Sequence, residues 1–475
     1  MRVWLLAASV AAFLVALSIA PHDRSRGFPL RDFEAYYAAG ETWTVHGDPY
    51  SRDVWRGERT IAGVDASRDE VLPFVGPPFG LPLWSTLANL SFRGASFVWA
   101  IVLGLAFATI ALGALAHATG RLTLRASIAT LLFAAAFAPM TGGLALGQVA
   151  LLACAAIVAM PWLLQPGRTL GAVLATLAAG LQPNLAIVLA VRATDRRARI
   201  AYVAAALIAL LGSALALGGL AEIARYVSIL REHGAAERFI AIQTTVGAVL
   251  WSFGASPALA GACALAIGAL VVAFVVFGCA RGAYAPNDRL WVASAALPLA
   301  VPFAHQHDYA IVFAPALALV VRTSGALWAA SACAALALGV DWLGLAQRPP
   351  ELATALAFAF AGACALVALA PGPLRAPHAA PFAVVALVAL AWTFARAHPL
   401  PTWPDALPPH FHVAAKLPSA VVWGAEQASS GIANRDPVWG ALRAIDLVAT
   451  LVIAVAAALH ARARARLGAW SEPTN

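Results

Sequence analysis

The sequence predicts an all-α polytopic membrane protein, with about twelve transmembrane helices, a re-entrant hairpin and amphipathic helices outside the membrane. Three observations predict it. First, 61% of the 475 residues are hydrophobic and 11% are charged, where a soluble globular chain carries roughly 25% charged residues. Second, apolar runs long enough to cross a bilayer recur along the whole chain. Third, arginines gather in short clusters between those runs, as cytoplasmic loops require. The net charge of +8 is nearly all arginine, because Lys416 is the only lysine; it marks membrane orientation and not a nucleic-acid surface. Cys154, Cys263, Cys279, Cys333 and Cys364 fall inside apolar runs without motif spacing, so neither disulfides nor a metal site is expected.

Residues 3–20 read as an uncleaved first helix, since Arg2 is the only charge before them and many spans follow. A long external loop, 21–75, mixes seven arginines with ten acids. Inside it, 31–37 starts a short amphipathic helix in which Asp32 and Tyr36 share one face, Phe33 and Tyr37 another. The aromatic face is expected in the headgroup layer, holding the Asp32 carboxylate just above the bilayer. Residues 76–92, opening on Gly76-Pro77-Pro78, are too short for a span and read as a helix dipping in from the outer face.

Spans follow at 95–116, 126–139 and 147–164, with a turn at Thr141-Gly142-Gly143. Residues 170–191 have Arg168 before them and Arg192, Arg196, Arg197 and Arg199 after them, so both flanks belong in the cytoplasm. A hairpin broken at Gln182-Pro183-Asn184 resolves the conflict; a single proline-kinked span is the alternative. Broken backbone at membrane depth is tolerated where it lines a polar cavity. Then come a span at 200–220, an external amphipathic stretch at 221–245, and spans at 257–277, 290–304, 309–321, 326–345, 352–370 and 381–395. A second external loop, 398–440, is rich in Pro and Trp and precedes the last span, 441–459. The tail Arg462, Arg464 and Arg466 places the C-terminus, like the N-terminus, in the cytoplasm. The chain divides into a module over 1–322 and C-terminal helices over 323–475. It has none of the paired broken segments that a transporter built from inverted repeats tends to show.

With this topology the polar groups collect on the outer face: Asp32, Tyr36, the turn His46 to Tyr50, Gln148, Gln182 and Asn184, and His305 to Asp308. A polar group at membrane depth is costly, so such convergence points to function. Each has a plainer reading. Asp48-Pro49 forms turns anywhere, Gln148 can bond a neighbouring helix, and the His305 tetrad can cap a helix through Asp308. Asp32 can be a first-turn acid beside Arg31, and Glu34 points away from it. His305-Gln306-His307 offers two histidines and needs a third ligand from elsewhere, so no metal is assigned. Trp403, Trp423 and Trp439 read as an interfacial aromatic belt in preference to a sugar platform.

The order Asp-Phe-x-x-Tyr-Tyr (Asp32 to Tyr37), His-Gly-Asp-Pro-Tyr (His46 to Tyr50), Pro77-Pro78-Phe79, Gly147-Gln148, Gln182-Pro183-Asn184 and His305-Gln306-His307-Asp308-Tyr309 resembles glycosyltransferase family 87 over roughly residues 1–321. That family belongs to the GT-C superfamily of polyprenol-phosphate-sugar-dependent enzymes and includes phosphatidylinositol mannoside mannosyltransferases. The resemblance implies a GT-C-like bundle in a bacterial inner membrane, with its site on the extracytoplasmic face and Asp32 as catalytic base. It implies a polyprenyl-phosphate sugar donor, a hexose such as mannose, and a lipid or glycan acceptor amid membrane lipids. Tyr36, His46, Tyr50, Gln148, Gln182, Asn184, His305 and His307 would bind substrate. Where family members often carry Lys-x-Pro, this chain has Gln182-Pro183, so the donor phosphate falls to histidines, arginines, amides and helix N-termini.

The chemistry suits this inventory. A lipid phosphate leaves readily, whereas the acceptor hydroxyl needs a positioned base. A carboxylate short of solvent gains basicity, and one base implies a single displacement with inversion. No cofactor is called for, and a divalent metal stays compatible with the set. The competing class is a transporter or flippase of lipid-linked saccharides, which needs no base; a structural subunit without activity is the third.

Overall fold

The computed structural model describes residues 1–19, 30–59, 61, 72–347, 352–402, 407–408, 411–414 and 417–471, the last five without side chains. Every regular element in them is helical. The order is α1 (Arg2–Ile19), α2 (Arg31–Thr44), α3 (Val54–Glu58), α4 (Leu81–Ala88), α5 (Phe92–Thr119), α6 (Leu124–Ala135), α7 (Ala138–Leu146) and α8 (Ala150–Leu163). Next come α9 (Thr169–Gly180), α10 (Pro183–Ala186), α11 (Arg196–Leu217), α12 (Ala221–Glu237), α13 (Val246–Ser252), α14 (Pro257–Ala280), α15 (Pro286–Ala300) and α16 (Phe313–Arg322). The chain closes with α17 (Gly325–Leu338), α18 (Gly344–Gln347), α19 (Leu352–Leu369), α20 (Pro381–Ala395), α21 (Ser419–Ser429) and α22 (Pro437–Ser471).

Among the described residues, seven helical stretches are long and apolar enough to cross a membrane: α1, α5, α11, α14, α19, the stretch Ala376–Ala395 that contains α20, and Pro437–Arg466 of α22. The bent pair α6 and α7, which meet at 67°, makes an eighth if counted as one broken span. Leu207, Leu211 and Leu215 of α11 and Leu270, Phe274 and Phe277 of α14 stand exposed, an apolar surface that suits lipid and not water. The other five expected spans are α6, α8, α15, α16 and α17, of 10 to 15 residues. At about 1.5 Å per residue these fall short of a hydrocarbon core of about 30 Å. Among the described residues, seven or eight of the expected twelve therefore meet the length and composition of a span.

Several local expectations change. Thr141-Gly142-Gly143 lies inside α7 and is not a turn; the bend falls at Ala136–Phe137, ahead of the Pro139 that opens α7. The second external loop contains α21. The chain breaks at Leu181–Gln182, and Pro183 starts α10, as the missing N–H of proline favours.

The largest correction concerns α2. Its aromatic face is not laid in a headgroup layer. Phe33 and Tyr37 are buried; Phe33 stacks on Trp99 at 5.8 Å and on Phe92 at 6.0 Å. Burying those rings inside the protein orients α2 and leaves its Asp32–Tyr36 face toward α7 and α8. Helix α4 crosses α2 at Gly40, where an added Cβ would stand 2.4 Å from the Trp84 carbonyl. Helices from both ends of the sequence interleave: α1 packs on α19, and α22 packs on α15 and α17.

Candidate active site

Asp32 sits in the first turn of α2, half-buried. The Gln148 side-chain amide donates to its Oδ2, and the Tyr36 hydroxyl donates to Gln148 Oε1 at 3.3 Å. One amide thus ties together two residues a helical turn apart. Gln148 reaches them because Gly147 ends α7 in the left-handed region, φ +80°, directly against Phe33. Tyr36 stacks on Trp84 at 4.8 Å. Burial, then the charges of Asp32 and Asp308, push its phenol far above the ordinary value, so it remains a donor. Arg31 pairs with Glu34 and not with Asp32 in the described ion pairs.

A second group forms where α15 ends and α16 begins. Asp308, 2% exposed, accepts the His305 backbone N–H at 3.0 Å and the Gln182 side-chain amide at 3.1 Å. The 182–184 break and the 305–308 turn are therefore joined directly. His305 stacks on His307 at 5.4 Å. His305 Nε2 lies 3.0 Å from Glu237 Oε2 at the end of α12. Glu237, 3% exposed, also accepts from the amide of Gln243 at 3.1 Å and from the indole of Trp423 in α21. Burial pushes the Glu237 carboxyl up, but His233, His305 and Trp423 outweigh it and hold the group at about 2. Burial lowers His305, and its hydrogen bond to Glu237 with the charges of Glu237, Asp308 and Asp32 reverses that to a net rise. For His307 burial prevails and the shift is downward.

Helix α7 joins the two groups. Its last residues meet α2 through Gly147, while a Cβ on Gly143 would contact the His307 side chain at 3.5 Å. Small residues at 142–143 thus let the histidine turn approach, and the charge of Asp32 is felt at both His305 and His307.

This gathering of an acid, amides and histidines at the ends of apolar helices suits transfer of a polar group near a membrane. Residues 74–302 match the model of glycosyltransferase family 87. Over that segment the chain is similar to glycosyltransferase family 87, and the match supports a glycosyltransferase. Searches of curated proteins and of solved structures returned no match. The matched segment contains Gln148, Gln182, Asn184, Glu237 and Gln243; Asp32 and Tyr36 precede it and His305 to Asp308 follow it.

As a membrane glycosyltransferase, the protein must bring a sugar donor and an acceptor hydroxyl to one place. Of the nine residues expected in such a site, the structure brings six together: Asp32, Tyr36, Gln148, Gln182, His305 and His307. His46 stands apart, exposed beyond the far end of α2, about 20 Å along the helix from Asp32 at 1.5 Å per residue. Tyr50 is buried in packing, its hydroxyl donating to Gly76 O at 2.9 Å and its ring 5.3 Å from Phe74, which in turn meets Tyr36 edge-on. Asn184 is half-buried beside the break, and its Nδ2 has no hydrogen-bond partner.

Sequence reasoning did not select Glu237, Gln243, Trp423 or, as a site residue, Asp308. The signal for Glu237 was its place at the end of an amphipathic stretch otherwise rich in surface charge. Trp423 and Trp439 are buried, Trp439 donating to His398 O at 2.8 Å, so these two form no interfacial belt. Trp403 lies outside the described residues.

Proposed function

We propose that this glycosyltransferase moves a hexose, such as mannose, from a polyprenyl phosphate to a lipid or glycan hydroxyl on the extracytoplasmic side of a bacterial inner membrane. Asp32 is the general base. It takes the hydroxyl proton as that oxygen bonds to the anomeric carbon; the bond from that carbon to phosphate oxygen breaks, polyprenyl phosphate departs, and the configuration inverts.

The observation that carries this reading is the contrast among the local carboxylates. Glu237 and Asp308 are fully buried and each accepts two hydrogen bonds or more. Glu34 is buried and paired with Arg31. Asp32 alone in this group is half-buried with one described donor, Gln148, which leaves acceptor capacity for an incoming hydroxyl. The facing histidines and amides suit a phosphate.

Two further features support this proposal. An apolar groove of about 300 Å³, lined by Phe79, Leu177, Gly180, Ala186, Ile187 and Tyr202, adjoins the break at Gln182, and it suits an isoprenoid chain. Arg192 closes the helical turn that follows α10, Arg322 closes α16 and Arg464 lies near the end of α22; these cationic ends support the outward placement of Asp32. The test is incubation of membranes containing the protein with radiolabelled polyprenyl-phosphate hexoses. Labelled lipid or glycan is expected; no product from any donor contradicts the proposal.

A further inference from the structure

Glu237 is a buried carboxylate that the transfer step does not use. A buried charge requires a counter-charge. Among the described residues its ion-pair partners are two histidines, His233 with Nε2 at 3.4 Å and His305 with Nε2 at 3.0 Å. They differ in one respect. His233 Nδ1 is buried without a hydrogen-bond partner, so a proton there would leave a charged donor orphaned; of the two rings His233 is the poorer place for the charge. His305 is the better one: Gln243 Nε2 lies 3.1 Å from His305 Nε2, but both nitrogens converge on Glu237 Oε2, so each can direct its N–H to the carboxylate. Its ring stacks on His307, and Asp308 of its own turn and Asp32 of α2 add negative charge around it.

What fixes Glu237 comes largely from outside the family-matched segment. Trp423 of α21 donates to Oε1, and Gln243 donates to Oε2 while its own Oε1 accepts the Ala304 N–H at 3.0 Å. Arg443 of α22, fully buried, donates to the carbonyls of Ile240 at 3.2 Å and Gln243 at 2.7 Å and to the Ser252 hydroxyl. Two C-terminal helices thus lock the segment 240–252 and the glutamate beside it.

We propose that Glu237 is a positioning residue that keeps His305 as an imidazolium facing the site, and that α21 and α22 act on the reaction through Trp423 and Arg443 by fixing that glutamate. The proposal rests on the reading above only for what the cation does, which is to hold the departing phosphate. Removing the Glu237 charge lowers the His305 pKa. The groups that then set its titration are His233 on α12, His307 and Asp308 on its own turn, and Asp32 on α2.

The test reads the ring directly. Diethyl pyrocarbonate acylates neutral imidazole and spares imidazolium, and peptide mapping resolves His305 from exposed His46, which serves as the internal reference. In detergent-solubilised full-length protein at pH 7, Glu237→Gln is expected to raise the His305 rate about tenfold, as a fall of one pKa unit would, with His46 unchanged. Trp423→Phe, which removes the indole donor, is expected to raise it less, and Glu237→Asp to restore protection in part. Equal His305 rates in wild type and Glu237→Gln, with both proteins monodisperse and of matching melting temperature, overturn the proposal. In the transfer assay the alkaline limb of the pH profile moves down in Glu237→Gln; a uniform loss at every pH marks a merely structural role and also overturns it. If wild type transfers no sugar while acylation shifts as expected, the proposed reaction fails and the Glu237–His305 assignment stands.

Discussion

Replacing Gly147 by alanine tests how the Asp32 site is assembled. Two costs are separable. Gly147 has φ +80°, and an L side chain there costs about 1–2 kcal/mol. An added Cβ would also stand 2.9 Å from Phe33 Cβ and 3.1 Å from Leu30 Cβ, closer than packed carbons approach, and overpacking of this kind costs about 1–3 kcal/mol. Gly120 provides the control: its φ is +73° and a Cβ there would meet nothing within 4 Å. Gly120→Ala should therefore cost about 1–2 kcal/mol and Gly147→Ala about 2–5 kcal/mol. The assay is equilibrium unfolding of both variants in mixed detergent, with sugar transfer measured alongside. Because Phe33 adjoins Asp32 and Gly147 adjoins Gln148, Gly147→Ala should lose transfer activity while Gly120→Ala keeps it. Equal destabilisation, with activity kept in both, would refute the packing argument.

Other predictions follow from the same geometry. Gln148→Leu removes the amide shared by Asp32 and Tyr36; a hydrogen bond to a charged group is worth about 1.5–3 kcal/mol, so kcat/KM should fall roughly 10- to 150-fold, measured as initial rates of transfer. Gln182→Leu strips the side-chain donor from buried Asp308 and should destabilise the fold by about 1–3 kcal/mol, read as a lower unfolding midpoint. The Glu237–His305 pair gives a pH signature. Glu237 is held at about 2 against an ordinary 4.5, so its contribution is complete above 4.5 and is lost as pH falls through 2. His305 is raised above 6.5, so its contribution is complete below 6.5 and is lost as pH rises through the raised value. Melting temperature should accordingly peak between pH 4.5 and 6.5 in wild type, and the peak should flatten in Glu237→Gln.

Much of the site was legible in the sequence, and the reason differs by residue. Asp32 and Tyr36 share a face because four residues nearly complete a helical turn, which needs no tertiary knowledge. Pro183 announced the break, since proline cannot continue the preceding helix's hydrogen bonds. Gln148 and His305 stood out as polar groups in apolar surroundings. Three things were hidden. The aromatic face of α2 reads alike whether it meets headgroups or Trp99, because only tertiary packing separates the two burials. Glu237 looked like its neighbours Glu232 and Arg238; its 3% exposure depends on α21, nearly two hundred residues on. His46 fell within a matching motif but sits past the other end of the helix that begins beside Asp32, a distance that linear spacing does not display. Helix ends were hidden as well: Pro161 and Pro298 lie inside α8 and α15, and apolar composition alone does not reveal where a helix stops.

In the proposed reaction the Asp32 carboxylate takes the proton of the acceptor hydroxyl. Asp32→Asn keeps the shape of that side chain, and its amide oxygen can still receive the Gln148 donor. The decisive measurement is transfer of labelled hexose by this variant beside binding of unlabelled polyprenyl phosphate by the same preparation. Binding near the wild-type level is expected, with transfer down at least about a hundredfold, as loss of a general base requires. Transfer within a few-fold of wild type by well-folded Asp32→Asn would contradict it.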